Sequence, residues 1–264
     1  MGRTLPLLVV LLLASLGAGL GAPPKPSGAP PKSSGAPSKP SGLPKVGIVS
    51  AIGDKFYVRK FGLGVFGNDF KEMAITSWGI DEMMTAKLRA ALASRFDVRP
   101  VTYKRAAFAV FPDRSGFLAQ YFNPELVRTG ISPQGLDAYL VVVKSERSYG
   151  PRSSYGTSNQ LVHGLGSAGG NTDVDPIVFV HAYYNVVLVD GRDFKIKSQT
   201  TSEIPGPRKY FWTPDFMSSP VRQGGASLYP KSLDAAANAE LKGVVVDLID
   251  KSLPPTLQKL ELTQ

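Results

Sequence analysis

Ala138-Tyr139-Leu140-Val141-Val142-Val143 is six apolar residues in a row, with no polar alternation. A strand with one wet face alternates, because successive side chains point to opposite sides. An unbroken run of strand length instead marks a strand covered on both faces, the usual state inside a sheet that carries helices. The elements around it are read against that one.

Upstream, residues 46–62 (VGIVSAIGDKFYVRKFG) alternate through Val46, Ile48, Phe56 and Val58, and Gly53-Asp54 predicts a bend or bulge. A return strand is expected over Glu72–Thr76. The spacing of Ile80, Met84, Leu88, Leu92 and Phe96 predicts a helix over 81–96, with Asp81 and Glu82 at its electropositive start. Downstream, Ile177–Val189 reads as one strand, Asp190-Gly191 as a turn, and Phe194–Thr201 as the return arm of a hairpin. A second helix is expected over 233–253. Ser232 would cap it, Ala237, Leu241, Val244, Val245 and Leu248 would form its buried stripe, and Pro254-Pro255 would end it. Helices interleaved with strands give an α/β (or α+β) class, a single mixed sheet with two main helices packed on it.

Composition closes several functional classes. The 264 residues include no cysteine, which removes disulfides, zinc–thiolate centres and cysteine nucleophiles. Only two histidines, His163 and His181, can supply imidazole chemistry. The formal net charge is +9, but the first 45 residues contain five basic side chains and no acid. A remainder so nearly balanced, without a run of more than two adjacent Lys/Arg, argues against a nucleic-acid groove.

Residues 1–21 read as a secretory signal. Arg3 supplies the positive start, Leu5–Leu13 the apolar run, and Gly19 and Gly21 the small residues before a cut ahead of Ala22. That run is too short for a stable span, and the chain has no cysteine to carry a lipid, so the mature protein is expected without a stable membrane anchor, periplasmic or secreted. Residues 22–45 form a linker built on PPKPSGA, PPKSSGA and PSKPSGL, too polar and too rich in proline to form a core. Fully extended, its repeat tract Pro23–Leu43 would reach on the order of 65 Å. One globular domain is then expected over 46–264.

The motifs that resemble chemistry lack the context chemistry needs. Gly62–Gly67 and Gly164–Gly169 both spell GxGxxG, but a dinucleotide loop requires a helix directly after it. Here a strand follows the first, and Asn171–Pro176 follows the second, so both read as flexible turns. His163 sits in the glycine-rich stretch and His181 in mid-strand, with no nucleophile-elbow string and no HExxH beside either. Asp173 and Asp175 are the one loop pair with the character of a hard-cation site, without the twelve-residue calcium pattern. Asp190/Asp193 read as turn chemistry, and Asp247 as a helical pair with Lys251. No cofactor, metal or catalytic residue is therefore assigned. Aromatics on irregular segments are a better signal, and Tyr210, Phe211, Trp212 and Phe216 are the candidate partner contacts.

Three strings carry a family resemblance: Arg95-Phe96-Asp97-Val98, Gly135-Leu136-Asp137-Ala138-Tyr139-Leu140-Val141-Val142, and Leu188-Val189-Asp190-Gly191-Arg192. In their order and spacing, residues 46–252 resemble the α/β domain shared by three proteins. These are the curli secretion lipoprotein, the outer-membrane activator of penicillin-binding proteins, and the N-terminal domain of the Tol–Pal translocation protein. The resemblance implies an exported bacterial envelope protein that binds other proteins and has no catalytic residues to carry over. It departs from several members in lacking the lipid-anchor cysteine. The expectation is a non-enzymatic binding or scaffold module with a protein partner in the envelope. The alternative is an exported hydrolase using His181 or an Asp173/Asp175 metal loop.

Overall fold

The computed structural model describes residues 42–61, 69–108, 124–149, 160–163, 165–170, 178–204, 221–224, 230, 234 and 238–263. They belong to one compact unit, Gly42–Gln264. In chain order its elements are β1 (Lys45–Ala51), β2 (Lys55–Phe61), β3 (Asp69–Ala74), α1 (Ile80–Leu92), β4 (Asp97–Arg99), α2 (Pro124–Gly130) and β5 (Ala138–Lys144). They continue with β6 (Glu146–Tyr149), β7 (Gln160–His163), β8 (Leu165–Gly170), β9 (Val178–Ala182), β10 (Tyr184–Asp190), β11 (Ile196–Thr201), β12 (Val221–Gly224) and α3 (Ala239–Lys259).

The unbroken run at 138–143 is a strand buried along its whole length. β5 lies parallel to β1, Val46 opposite Ala138 and Ala51 opposite Val143, and antiparallel to β10. The main sheet has the order β11-β10-β5-β1-β4. Its two faces bury different sets. Ala138, Leu140 and Val142 join Val46, Ile48, Tyr184 and Val186 beneath α1 (Ile80, Met84, Leu88, Leu92) and α3 (Leu241, Val244, Val245, Leu248). Tyr139, Val141 and Val143 join Val49, Val187 and Val189 against Phe108, Val127, Ile131 and Phe194. Each fully buried Leu, Val or Ile contributes about 1.5–3 kcal/mol, which makes this double cover the main stabilising term. The chain is an α/β protein, with a mixed five-stranded sheet and helices packed on it.

The strands also run on past that sheet. A second five-stranded sheet has the order β12-β9-β8-β2-β3, and β6 pairs with β7 in a ladder of two. The expected strand at 177–189 is accordingly two strands, broken at Tyr183. The glycine string at 164–169 lies largely in β8 rather than in a turn. Glycine costs backbone entropy in a strand, but β8 recovers ladder hydrogen bonds on both sides, parallel to β2 and antiparallel to β9.

Both helices depart from their expected bounds. α1 stops at Leu92, because the amides of Arg95 and Phe96 both close on the Leu92 carbonyl and turn the chain into β4. α3 continues through Pro254 and Pro255 instead of ending there. The two prolines remove the amides that would serve the carbonyls of Asp250 and Lys251, both exposed residues whose carbonyls water can reach. Thr256 Oγ1 meanwhile donates to the Ser252 carbonyl at 2.6 Å. Burial of Leu253, Leu257, Leu260 and Leu262 outweighs a penalty of about 3 kcal/mol per proline. Ser232, the expected cap, is outside the described residues. Among the described residues no helix is long and apolar enough to cross a membrane.

Candidate functional site

Buried polar side chains gather where the two sheets meet, and the cause lies in the topology. β1 runs on into β2, and β10 is the continuation of β9, so these two columns persist from sheet to sheet. The column between them changes occupant. In the main sheet it is β5; in the second it is β8. At Ser145 the chain peels away as β6, pairs with β7, and returns to the vacated column as β8. Ala51 lies opposite Val143, and Lys144 opposite Tyr184, so the breaks at 52–54, 145 and 183 fall on one line across the sheet. A broken ladder leaves backbone groups that must be satisfied by other means.

Asp81 does this for β1. Its Oδ1 accepts from the amides of Ile52 (2.9 Å) and Gly53 (3.0 Å) and from Ser50 Oγ (2.9 Å). Its other oxygen forms an ion pair with Arg105. A Cβ at Gly53 would sit 2.8 Å from the Ile80 Cβ, so only glycine lets β1 approach the start of α1 this closely. Asp81 fits its expected place at the helix start but is buried, and helical periodicity gives no sign of that. Tyr103 donates to the Ser50 carbonyl at 2.8 Å, and burial raises its phenol above the usual value. Ser202 does the same work for β10, accepting from the Tyr184 amide and donating to the Ala182 carbonyl, both at 3.1 Å.

Lys144, the last residue of β5, fills the space where the column changes hands. Its side chain is 3% exposed and forms an ion pair with Asp54. Its ammonium also donates to the Tyr57 hydroxyl at 3.2 Å and lies 5.3 Å from that ring's centre. Burial pulls the Lys144 pKa below the ordinary lysine value, and Asp54 opposes the shift. Burial pushes the Tyr57 phenol upward, with the charges of Asp54 and Glu72 adding to it. Phe70 stacks on the Tyr57 ring, ring centres 5.9 Å apart.

Of the residues that sequence marked for chemistry, the described ones occupy ordinary structural positions. His181 is in β9, 2% exposed and stacked on Tyr183 with ring centres 5.1 Å apart, which is a core position rather than the lip of a cleft. His163 ends β7 opposite Glu146 in the ladder, not in a loop. Asp173 and Asp175, and the aromatic set Tyr210, Phe211, Trp212 and Phe216, lie outside the described residues. Asp247 pairs with Lys251 at 2.7 Å, and Asp190 accepts from the Arg192 amide at 2.8 Å, as surface and turn chemistry predict. Among the described residues no group of three His, Asp or Glu side chains is placed to hold a metal ion.

No protein-family model matches the chain, and no curated protein does. Among solved structures it is similar to the lipoprotein GNA1162 from Neisseria meningitidis, with 16% identity and a TM-score of 0.25 over 80% of this chain and 99% of that one. A likeness this loose assigns neither a family nor a site.

Proposed function

We propose that this chain is an exported protein of the bacterial envelope that works by binding another protein rather than by turnover. One observation carries the reading. The polar side chains that converge at the carboxyl ends of β1 and β5, where an α/β sheet ordinarily receives a ligand, are spent on one another and on broken ladders. Asp81 accepts two amides, a hydroxyl and a guanidinium. Lys144 meets a carboxylate and a phenol. Groups so committed would have to abandon the fold to serve a substrate.

The leader-like start and the proline-rich linker support export, and the near balance of charge beyond residue 45 supports a protein partner over a nucleic acid. The partner contact is proposed at the aromatic set Tyr210, Phe211, Trp212 and Phe216.

Crosslinking in the native cell, followed by mass spectrometry of the adducts, tests the reading. The expected result is one protein recovered repeatedly, and lost when Trp212 and Phe216 are both changed to Ala. Turnover of an ester, peptide, glycoside or phosphate substrate by the purified protein, abolished by His181→Ala, would reject it.

A further inference from the structure

The outer edge of the main sheet is complementary to itself. β4 is the last strand in the sheet order, and among the described residues nothing pairs with its far side. The Asp97 amide bonds inward to the Pro44 carbonyl of the adjoining chain segment at 2.9 Å. Backbone groups of successive strand residues point to opposite sides, so the N–H and C=O of Val98 point outward. Pro100 follows and offers no donor, which confines outward pairing to Val98.

We propose that this edge joins two copies of the chain about a two-fold axis at Val98, continuing the sheet as β5-β1-β4-β4-β1-β5. Two antiparallel β4 strands centred on Val98 exchange both of its outward hydrogen bonds. That register sets Asp97 opposite Arg99 of the second copy, and Arg99 opposite Asp97. Both residues lie on one face of the strand, where each Arg99 now bonds its own Asp97 through Nε (2.8 Å) and Nη2 (2.6 Å). The exchange replaces each internal pair with a cross-strand pair of opposite charge, and charge complementarity therefore favours a second copy as the occupant.

The same edge supplies apolar area. Leu43, 52% exposed, lines a shallow groove with Arg89, Ala93, Phe96, Asp97 and Val98. The axis brings the two grooves side by side beneath the carboxyl ends of the two α1 helices. A pairing of three residues is far too small to hold two proteins, which usually bury about 1,200–2,000 Å² in total, so the grooves must close on each other.

Sedimentation velocity of the purified full chain, with detergent-free buffer and a concentration series up to about 1 mM, reads the association. The expected result is a reversible dimer for the natural sequence, weakened about tenfold or more by either Asp97→Arg or Arg99→Asp. An equal mixture of the two variants restores a dimer, because one chain then brings two arginines to the paired edge and the other brings two aspartates. Circular dichroism shows each variant folded alone, and recovery in the mixture is something an unfolded variant cannot produce. A monomer at every concentration overturns the proposal, and so does a dimer indifferent to both reversals.

Discussion

The Lys144 ammonium and the Tyr57 hydroxyl stand 3.2 Å apart although 87 residues separate them in the chain. Each belongs to a strand at the line where the sheet changes its central occupant, and Asp54 completes the contact from the β1–β2 bend. A buried charge is tolerable only while its partners remain. The consequences are measurable.

Removing one side of the pair should cost more than removing both. Lys144→Met leaves the Asp54 carboxylate without its cation and should lower stability by about 3 kcal/mol. Adding Asp54→Asn should recover a large part of that loss, a coupling that urea denaturation of the single and double variants measures directly. If the two effects simply add, the pair contributes nothing to holding the seam.

Asp81 offers a finer discrimination. Asp81→Ala orphans the amides of Ile52 and Gly53 and should cost about 3–5 kcal/mol. Asp81→Asn keeps an acceptor for those amides while giving up the charge that meets Arg105, and should cost roughly half as much. Equal losses for the two variants would mean that the ion pair, not the backbone capping, is what matters.

Glycine positions should divide by the space around them. A Cβ at Gly191 would lie 1.9 Å from the Leu136 carbonyl oxygen, so Gly191→Ala must displace backbone and should destabilise by about 3 kcal/mol or more. Gly243 is inside α3 with nothing within 4 Å, and Gly243→Ala should stabilise by about 0.5–1 kcal/mol. Thermal melts of the two variants should therefore move in opposite directions.

The pH profile follows from which state holds more protons. Burial raises the phenols of Tyr57, Tyr103 and Tyr184, so above pH 10 the unfolded chain loses protons that the folded one keeps, and stability falls as pH rises. Lys144 acts in the opposite sense below 10.5, since the unfolded chain there holds the extra proton. At the acid end, the Lys197 hydrogen bond lowers Asp190 from 3.8 to about 2, and its contribution fades as pH falls through that range. A phenolate titration should show Tyr57 and Tyr184 silent until the protein unfolds, and Tyr103 ionising later than an exposed phenol. Lys197→Met should flatten the acid limb between those two values.

Much of the fold can be read from the amino acids because its signals are local. The run at 138–143, the four-residue steps of α1 and the turn at Asp190-Gly191 each reflect burial or backbone chemistry within one element. The seam could not be read this way. Nothing near Lys144 announces that β8 will replace β5 beside it, since the replacement depends on pairings between distant segments. Asp81 misleads for a related reason: an acidic residue in the first turn of a helix is ordinary, and only the approach of Gly53 turns it inward. The prolines at 254 and 255 were a local signal overruled by the leucines beyond them.

The inner face of β1 lies in the same core as α3, so strand residues 45–51 share their shelter with helix residues 239–259. A nascent chain cannot seal that core until nearly two hundred further residues have left the ribosome. Until then its earliest strand is without part of its cover, and the first half of the sheet depends on the last helix to be made.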